Sequence, residues 1–471
     1  MKAAAVALAA LALAPVASGA GARGAFTPND PLFPRQYYLA QGRAFDPWPS
    51  FPVLPPVLVA VVDSGIDGGH PEFKGRIAAA KSFVGGRALV DAVGHGTFVA
   101  GVIAATTGNR VGIAGMAPSA RLLIAKAAYP DGLISTRAEA LAIRWAADRG
   151  ARVINLSLAG VRAPDSKSLD TFSAEEAAAV AYATSRGAVV VAAVGNGDDA
   201  PSSPWPYASW PAALPHVLGV GALSRAGSVP EFSDRDPVYV DLAAPGEEIL
   251  STFPRHLTRK RRSCANQGYS DCGERFFRAG AGTSFAAPQA SAAAAILLAL
   301  RPSLSPDQVI WILEHSSGDV AAPLCPECRQ GRDALSGWGR LDVARAIAML
   351  EGPLPPADVR EPNDGAAMAA ARVYGRSGRV DATLDYWDDP LDVYSLYLRA
   401  GEHLTVRLDG TPGTETTLQL TRRRTISVRA QEPGAVHELD VVVPVDGWYD
   451  VRVRLDTEGY GGYTLRFAKS Y

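Results

Sequence analysis

The chain of 471 residues carries almost no net charge: 46 Lys and Arg stand against 48 Asp and Glu, −2 in all. That balance gives no electrostatic footprint for a nucleic-acid partner. Cysteine is scarce. Cys264, Cys272, Cys325 and Cys328 are the whole set, and by proximity they fall into two pairs. Long apolar runs are missing too. The run at 3–16 is too short to span a bilayer. The run at 286–300 is broken by Gln289 and Ser291, so no membrane span is expected. Nor is there a solenoid repeat or a long low-complexity tract. Apolar residues, in contrast, are plentiful. They make up 48% of the chain, enough for a large core, and the length suits two to four domains, or one large core with an appendage.

Residues 1–22 read as a secretory signal. Lys2 supplies the positive charge, an apolar stretch follows, and Ala20-Gly21-Ala22 offers a cleavage motif. The product is then secreted, where disulfides are permitted. A Pro-rich lead-in, 23–52, is expected to pack on the domain that follows. From 53 to 352 short β-branched runs alternate with Ala-rich helical runs. Strands are expected at 57–62, 121–127, 152–158, 188–193 and 217–222. Helices are expected at 95–105, 136–148, 174–186, 284–300, 306–315 and 341–351. The strand runs lack alternation, as in strands buried on both faces. Together they predict an α/β fold: a doubly wound, mostly parallel sheet with helices on both faces. A Pro-rich linker, 353–359, precedes alternating segments at 360–471, which predict a small all-β sandwich.

Three side chains stand where those elements end or begin. Asp63 ends the first strand, His95 starts a helix in GHGTFVAG, and Ser284 follows GAGT at the start of another. Gly280 and Gly282 free the backbone for a tight turn, and Pro288 is expected inside the first helical turn. Each residue alone has an ordinary reading: a turn Asp, a helix-capping His, a glycine turn before a packed helix. Together they supply a chemistry. A serine hydroxyl is a weak nucleophile until a histidine takes its proton. A buried carboxylate then holds the imidazole in the right tautomer and stabilises the imidazolium.

The motifs Asp-Ser-Gly-Ile-Asp with His-Pro-Glu-Phe, Gly-His-Gly-Thr-Phe-Val-Ala-Gly and Gly-Thr-Ser-Phe-Ala-Ala-Pro, in that order, resemble the subtilisin-like serine proteases, the subtilases. The resemblance runs from about Asn29 to Glu351. It implies a serine endopeptidase acting on polypeptides, with Asp63, His95 and Ser284 catalytic and no cofactor or metal required for the chemistry. It further implies that Asn196, ending VVVAAVGN, donates its amide to the oxyanion beside the Ser284 N–H. Ser157, Leu158, Ala159 and Gly160 match the segment that pairs with an extended peptide. With Ala193, Val194 and Gly195 they would wall the primary pocket, and Tyr207-Ala208-Ser209-Trp210-Pro211 would close its base. A monomer is expected. The competing reading is a catalytically silent secreted protein that binds a peptide or a surface polymer. An esterase is a third reading, but the Gly-x-Ser-x-Gly elbow of such enzymes is absent around Ser284.

The sequence departs from the family's common pattern in places. Phe98 and Gln289 stand where many relatives have histidine, and no prodomain of usual size fits between the signal and Asn29. Gly108-Asn109-Arg110-Val111-Gly112 aligns with a loop that binds calcium in many subtilases, and Glu72 would supply a carboxylate. Arg110 and the low acidic content favour a plain turn. An insertion at 254–277 holds the basic run 259–262 and Cys264…Cys272. Export favours disulfides Cys264–Cys272 and Cys325–Cys328 over a zinc site or a redox pair. Past the linker, Glu361-Pro362-Asn363-Asp364, Asp389-Pro390-Leu391-Asp392-Val393-Tyr394 and Gly447-Trp448-Tyr449 resemble bacterial pre-peptidase C-terminal domains, small sandwiches appended to secreted proteases.

Overall fold

The computed structural model describes residues 25–197, 200–260, 276–320, 323–365, 370–422, 425–430 and 432–471. In chain order, α1 (Tyr37–Gln41) precedes β1 (Val57–Asp63), β2 (Ile77–Ser82), α2 (His95–Ala104), β3 (Ala120–Lys126), α3 (Thr136–Asp148), β4 (Val153–Leu156) and α4 (Ala174–Ser185). Then come β5 (Val189–Ala193), β6 (Val217–Leu223), β7 (Leu242–Pro245), β8 (Ile249–Thr252), α5 (Arg255–Lys260), β9 (Phe277–Gly280), α6 (Thr283–Leu300), α7 (Pro306–His315) and α8 (Val343–Met349).

Seven of these strands form one sheet in the order β2-β3-β1-β4-β5-β6-β7. Every pairing in it is parallel. The chain runs outward to one edge from β1, then crosses to β4 on its other side. Winding reverses there, and β1 ends at Asp63 beside the reversal. Crevices at such points, outside the carboxyl ends of the strands, are where open sheets hold ligands.

Alternation along β1 divides the core. Val57, Val59 and Val61 pack with α2, α6 and α7 on one face. Ala60 and Val62 pack with α3 and α4 on the other. The predicted α/β layering is therefore present. β2 and β7 lie outside the strands expected from sequence. The first is a half-exposed edge, and the second is only four residues long and contains Pro245.

The alanine-rich α6 lies against β1, β4, β5, β6 and β7. Its small side chains allow that close approach. It is long and apolar enough to cross a membrane by composition alone, and 89% of it is buried inside the fold. Pro288 is its sixth residue, not part of the first turn. A proline there has no N–H to give the carbonyl four residues back, that of Ser284. Ser157 Oγ supplies the missing donor, bonding the Ser284 carbonyl at 2.8 Å.

The lead-in packs Tyr38, Leu39 and Phe45 into the same core. Gln36 pairs with the backbone of Ala114, its Oε1 accepting and its Nε2 donating, both at 2.8 Å.

Beyond the linker lie β10 (Ala371–Arg372), β11 (Ser377–Asp385), β12 (Leu391–Leu398), β13 (His403–Gly410), β14 (Thr416–Arg422), β15 (Ile426–Arg429), β16 (Val436–Val442), β17 (Gly447–Leu455) and β18 (Tyr460–Ser470). They build two sheets, β10-β12-β17-β14-β15 and β11-β18-β13-β16, antiparallel except for β10 with β12. Inward residues alternate as the sequence led one to expect. Leu404, Val406 and Leu408 of one sheet share a core with Tyr449, Val451 and Val453 of the other.

Candidate active site

Asp63 leaves β1 with its carboxylate buried. The Ser64 N–H donates to Oδ1 at 2.7 Å. His95 Nδ1 lies 3.0 and 2.9 Å from the two carboxylate oxygens. A carboxylate only accepts, so the Nδ1 carries the proton and Nε2 keeps its lone pair.

The turn that presents His95 is tightly built. Asp91 accepts from the N–H groups of Val93, Gly94 and Thr97, and from the hydroxyls of Ser64 and Thr97. It sits at the positive end of α2, where an anion is favoured. Gly96 is required by space: a Cβ there would fall 2.2 Å from the carbonyl oxygen of Gly65. Burial alone would lower the His95 pKa. The charge and hydrogen bond of Asp63, with Asp91 behind, outweigh burial and raise it.

Ser284 is the second residue of α6. Its neighbour Phe285 lies against both the His95 ring, at 5.4 Å between centroids, and the Phe98 ring, at 4.1 Å. That contact brings the serine turn and the histidine turn side by side. Phe98 thus fills a packing position where relatives often have histidine. Gln289, the other departure, is buried, its amide bonding the carbonyls of Pro245 and Phe285.

Asn196 follows β5. Its Oδ1 accepts from the N–H and the hydroxyl of Thr283, each at 3.0 Å. With the oxygen so held, the Nδ2 donors are free to face outward, and they lie beside Gly282 at the mouth of the turn.

The end of Ser157–Gly160 and the segment after β5 both reach the 207–211 segment. Gly160 exchanges two backbone hydrogen bonds of 2.8 Å with Trp210, and Ser209 N–H bonds the Val194 carbonyl at 2.7 Å. Gly195 has φ +106°, and a Cβ on it would strike Ser209 Oγ and Asp234 Oδ2. So Gly160 and Val194 each border the 207–211 segment through backbone hydrogen bonds. The Ser157 hydroxyl points elsewhere, into α6. It is held by Asn155 Nδ2 at 2.8 Å, and Asn155 Oδ1 in turn accepts from Ser291 at 2.8 Å. Nothing in the residue order announces this run of hydrogen bonds, nor Thr283 as the group that orients Asn196. A polar residue amid an apolar strand, Asn155 in VINL, was the available signal.

The 108–112 loop is held by carboxylates. Asp30 accepts from the N–H groups of Gly108 and Asn109, and Glu72 from Ile113 N–H and Asn109 Nδ2. Burial pushes Glu72 up to about 7. All four of these carboxylate oxygens accept from N–H groups, the arrangement of a hydrogen-bonded turn. Cys325 and Cys328 are joined in a disulfide. Cys264 and Cys272, and the side chains of the basic run before them, lie outside the described residues.

An open parallel sheet that carries a carboxylate-held histidine beside a serine at a helix start is an arrangement of the serine hydrolases, peptidases among them. The model of the subtilase family matches residues 56–339. The chain belongs to that family and is a serine-type endopeptidase. It is 36% identical over 232 residues to thermitase of Thermoactinomyces vulgaris, covering 49% of this chain and 77% of thermitase. It is 35% identical over 267 residues to subtilisin BL of Lederbergia lenta, 56% of this chain and 85% of that protein. Among solved structures, a protease from Pseudoalteromonas arctica superposes with a TM-score of 0.54 at 26% identity, over 68% of this chain and 99% of the other. Members of the family need no cofactor for catalysis.

Proposed function

We propose that Ser284 attacks the scissile carbonyl of a polypeptide and that His95 Nε2 takes the Oγ proton. The tetrahedral oxyanion then forms between Asn196 Nδ2 and the Ser284 N–H. Collapse expels the amine, which receives the proton from His95 and leaves an acyl-enzyme. Water, deprotonated by the same nitrogen, releases the acid. Asp63 keeps the Nδ1 proton in place and stabilises the imidazolium. The observation that carries this reading is the bond from His95 Nδ1 to Asp63, with the His95 ring lying on the residue next to Ser284.

Substrate backbone would pair along Ser157–Gly160 as an added strand, with its primary side chain between that segment and Ala193–Gly195. The leader at 1–22 and the Cys325–Cys328 disulfide support export, with the enzyme acting as a monomer and no membrane span. The catalytic domain spans 53–352, with 23–52 as its lead-in and 353–359 as the linker. The sandwich at 360–471 would serve as an appended pre-peptidase-type domain. At the 108–112 loop the N–H groups that bond Asp30 and Glu72 support a plain turn over structural calcium, and calcium there would take no part in the chemistry.

The test is Ser284→Ala. Casein hydrolysis should fall by about 10⁶, as when the nucleophile of a subtilisin is removed, and fluorophosphonate labelling should vanish. Full activity in that variant would refute the assignment. Parent protein that is folded but unlabelled would instead favour the silent binding protein.

A further inference from the structure

Where the sandwich meets the catalytic domain, acidic side chains crowd together with little positive charge to oppose them. Asp241 immediately precedes β7, Glu314 lies in the last turn of α7, and Asp388 sits in the turn between β11 and β12. The first two belong to the catalytic domain and the third to the sandwich. One carboxylate oxygen from each lies within 4.8 Å of the other two. Asp241 and Glu314 are each only 1% exposed.

Arg332 faces this group. Its Nη2 is 3.4 Å from Asp241 Oδ1, but it also serves the carbonyls of Val238 and Val240, and its guanidinium lies over the Trp387 ring. Glu314 has no such help: its Oε1 is buried without a hydrogen-bond partner. Burial first, then repulsion from Asp388, Asp241 and Asp385, pushes the Glu314 carboxyl far above the usual range. Burial and the same neighbours raise Asp388, and burial lifts Asp241 to about 7. An unpaired buried carboxylate is costly unless a cation or a proton answers it.

We propose that Asp241, Glu314 and Asp388 seat one divalent cation of the calcium class at the joint between the two domains. The donors are all hard oxygens, which suit calcium. The group contains no thiolate or imidazole of the kind zinc favours. Three carboxylates opposed by one guanidinium leave two negative charges, the charge of such an ion. Asp385, whose Oδ1 accepts from the Trp387 N–H at 3.0 Å, deepens the field. The neighbouring group of Glu361, Asp364 and Asp389 differs, because His216 already stands in it, with Nε2 3.2 Å from both Glu361 and Asp364. An ion at the first group would tie the β11–β12 turn to β7 and α7 and dock the sandwich. It draws nothing from the triad assignment.

The experiment uses the full chain with Ser284→Ala to prevent self-digestion, stripped with chelator and dialysed. Calcium is titrated calorimetrically. Terbium emission is excited through tryptophan, since Trp387 adjoins Asp388 and its ring lies 5.2 Å from that of Trp338. Glu314→Gln and Asp388→Asn are compared with this parent. The parent should bind one more equivalent of calcium than either variant, or bind that equivalent at least tenfold more tightly. Outer-shell changes alone cost about 10–100-fold in metal affinity. Tryptophan-sensitised terbium emission should fall in both variants. Circular dichroism in chelator checks folding, and Asp388→Asn, on a turn, carries the test if Glu314→Gln does not fold. Equal stoichiometry, affinity and emission in all three proteins would overturn the proposal. So would the absence of sensitised emission in the parent.

Discussion

Replacing Ser157 with alanine would remove the hydroxyl that stands in for the missing amide of Pro288. Two hydrogen bonds of 2.8 Å disappear with it, one to the Ser284 carbonyl and one from Asn155 Nδ2. Asn155 is fully buried, so its amide is left without an acceptor, at a cost of about 1–3 kcal/mol. The Ser284 carbonyl faces the proline and loses its donor, at about 0.5–1.5 kcal/mol. The sum is roughly 2–4 kcal/mol. In a domain of about 200 residues each kcal/mol shifts Tm by about 2–4 °C, so a fall of roughly 4–16 °C is expected.

Activity should suffer as well, because the freed carbonyl belongs to Ser284 itself. A displacement of about 1 Å at a reacting group can cost 10²-fold, and kcat should drop by about 10-fold or more. Calorimetry in a Ser284→Ala background measures the first effect, and a chromogenic peptide measures the second. A Tm within about 1 °C of the parent, with kcat unchanged, would show that this hydroxyl does not hold the turn.

Further outcomes test the oxyanion and base assignments. Asn196→Ala should lower kcat by about 10²–10³ with little change in KM, a magnitude established for the matching group of a subtilisin. Thr283→Val, which removes one of the two donors holding the Asn196 oxygen, should cost about 3–10-fold, the worth of one hydrogen bond of about 1 kcal/mol; an unchanged kcat would mean that the amide is held otherwise. Hydrolysis needs neutral His95, so kcat/KM should rise with pH through its pKa. The raised value puts that limb above the usual imidazole value of about 6.5. In Asp63→Asn only Asp91 is left to oppose the burial effect, and the limb should move to lower pH. A parent limb at or below about 6 would contradict the electrostatics.

Much of this architecture can be read from residue order. Buried strands announce themselves as unbroken β-branched runs, as at 189–193. Asp63, His95 and Ser284 each sit beside glycines that only a tight turn needs. What stays hidden is pairing at a distance. Ser157 carries no mark that its hydroxyl serves a helix 127 residues later, and Thr283 none that it orients Asn196. The edge strand β2, half exposed and Ala-rich, lacks the apolar run that reveals its neighbours. Asp241, Glu314 and Asp388 are far apart in sequence; the catalytic fold brings the first two together, and only the docking of the sandwich adds the third.

The alanine surface of α6 bears on how this enzyme would fail. Its nucleophile stands on the helix that touches five strands of the central sheet. A helix so placed opens only when the sheet itself opens, at the high end of the range of local unfolding free energies. Amide exchange along 289–299 should therefore be among the slowest in the chain, and slower than in the sandwich strands. Heating should then remove activity and the last protected amides in a single step. Many enzymes lose function first through a loosened loop. Here the serine is built into the part of the molecule that melts last.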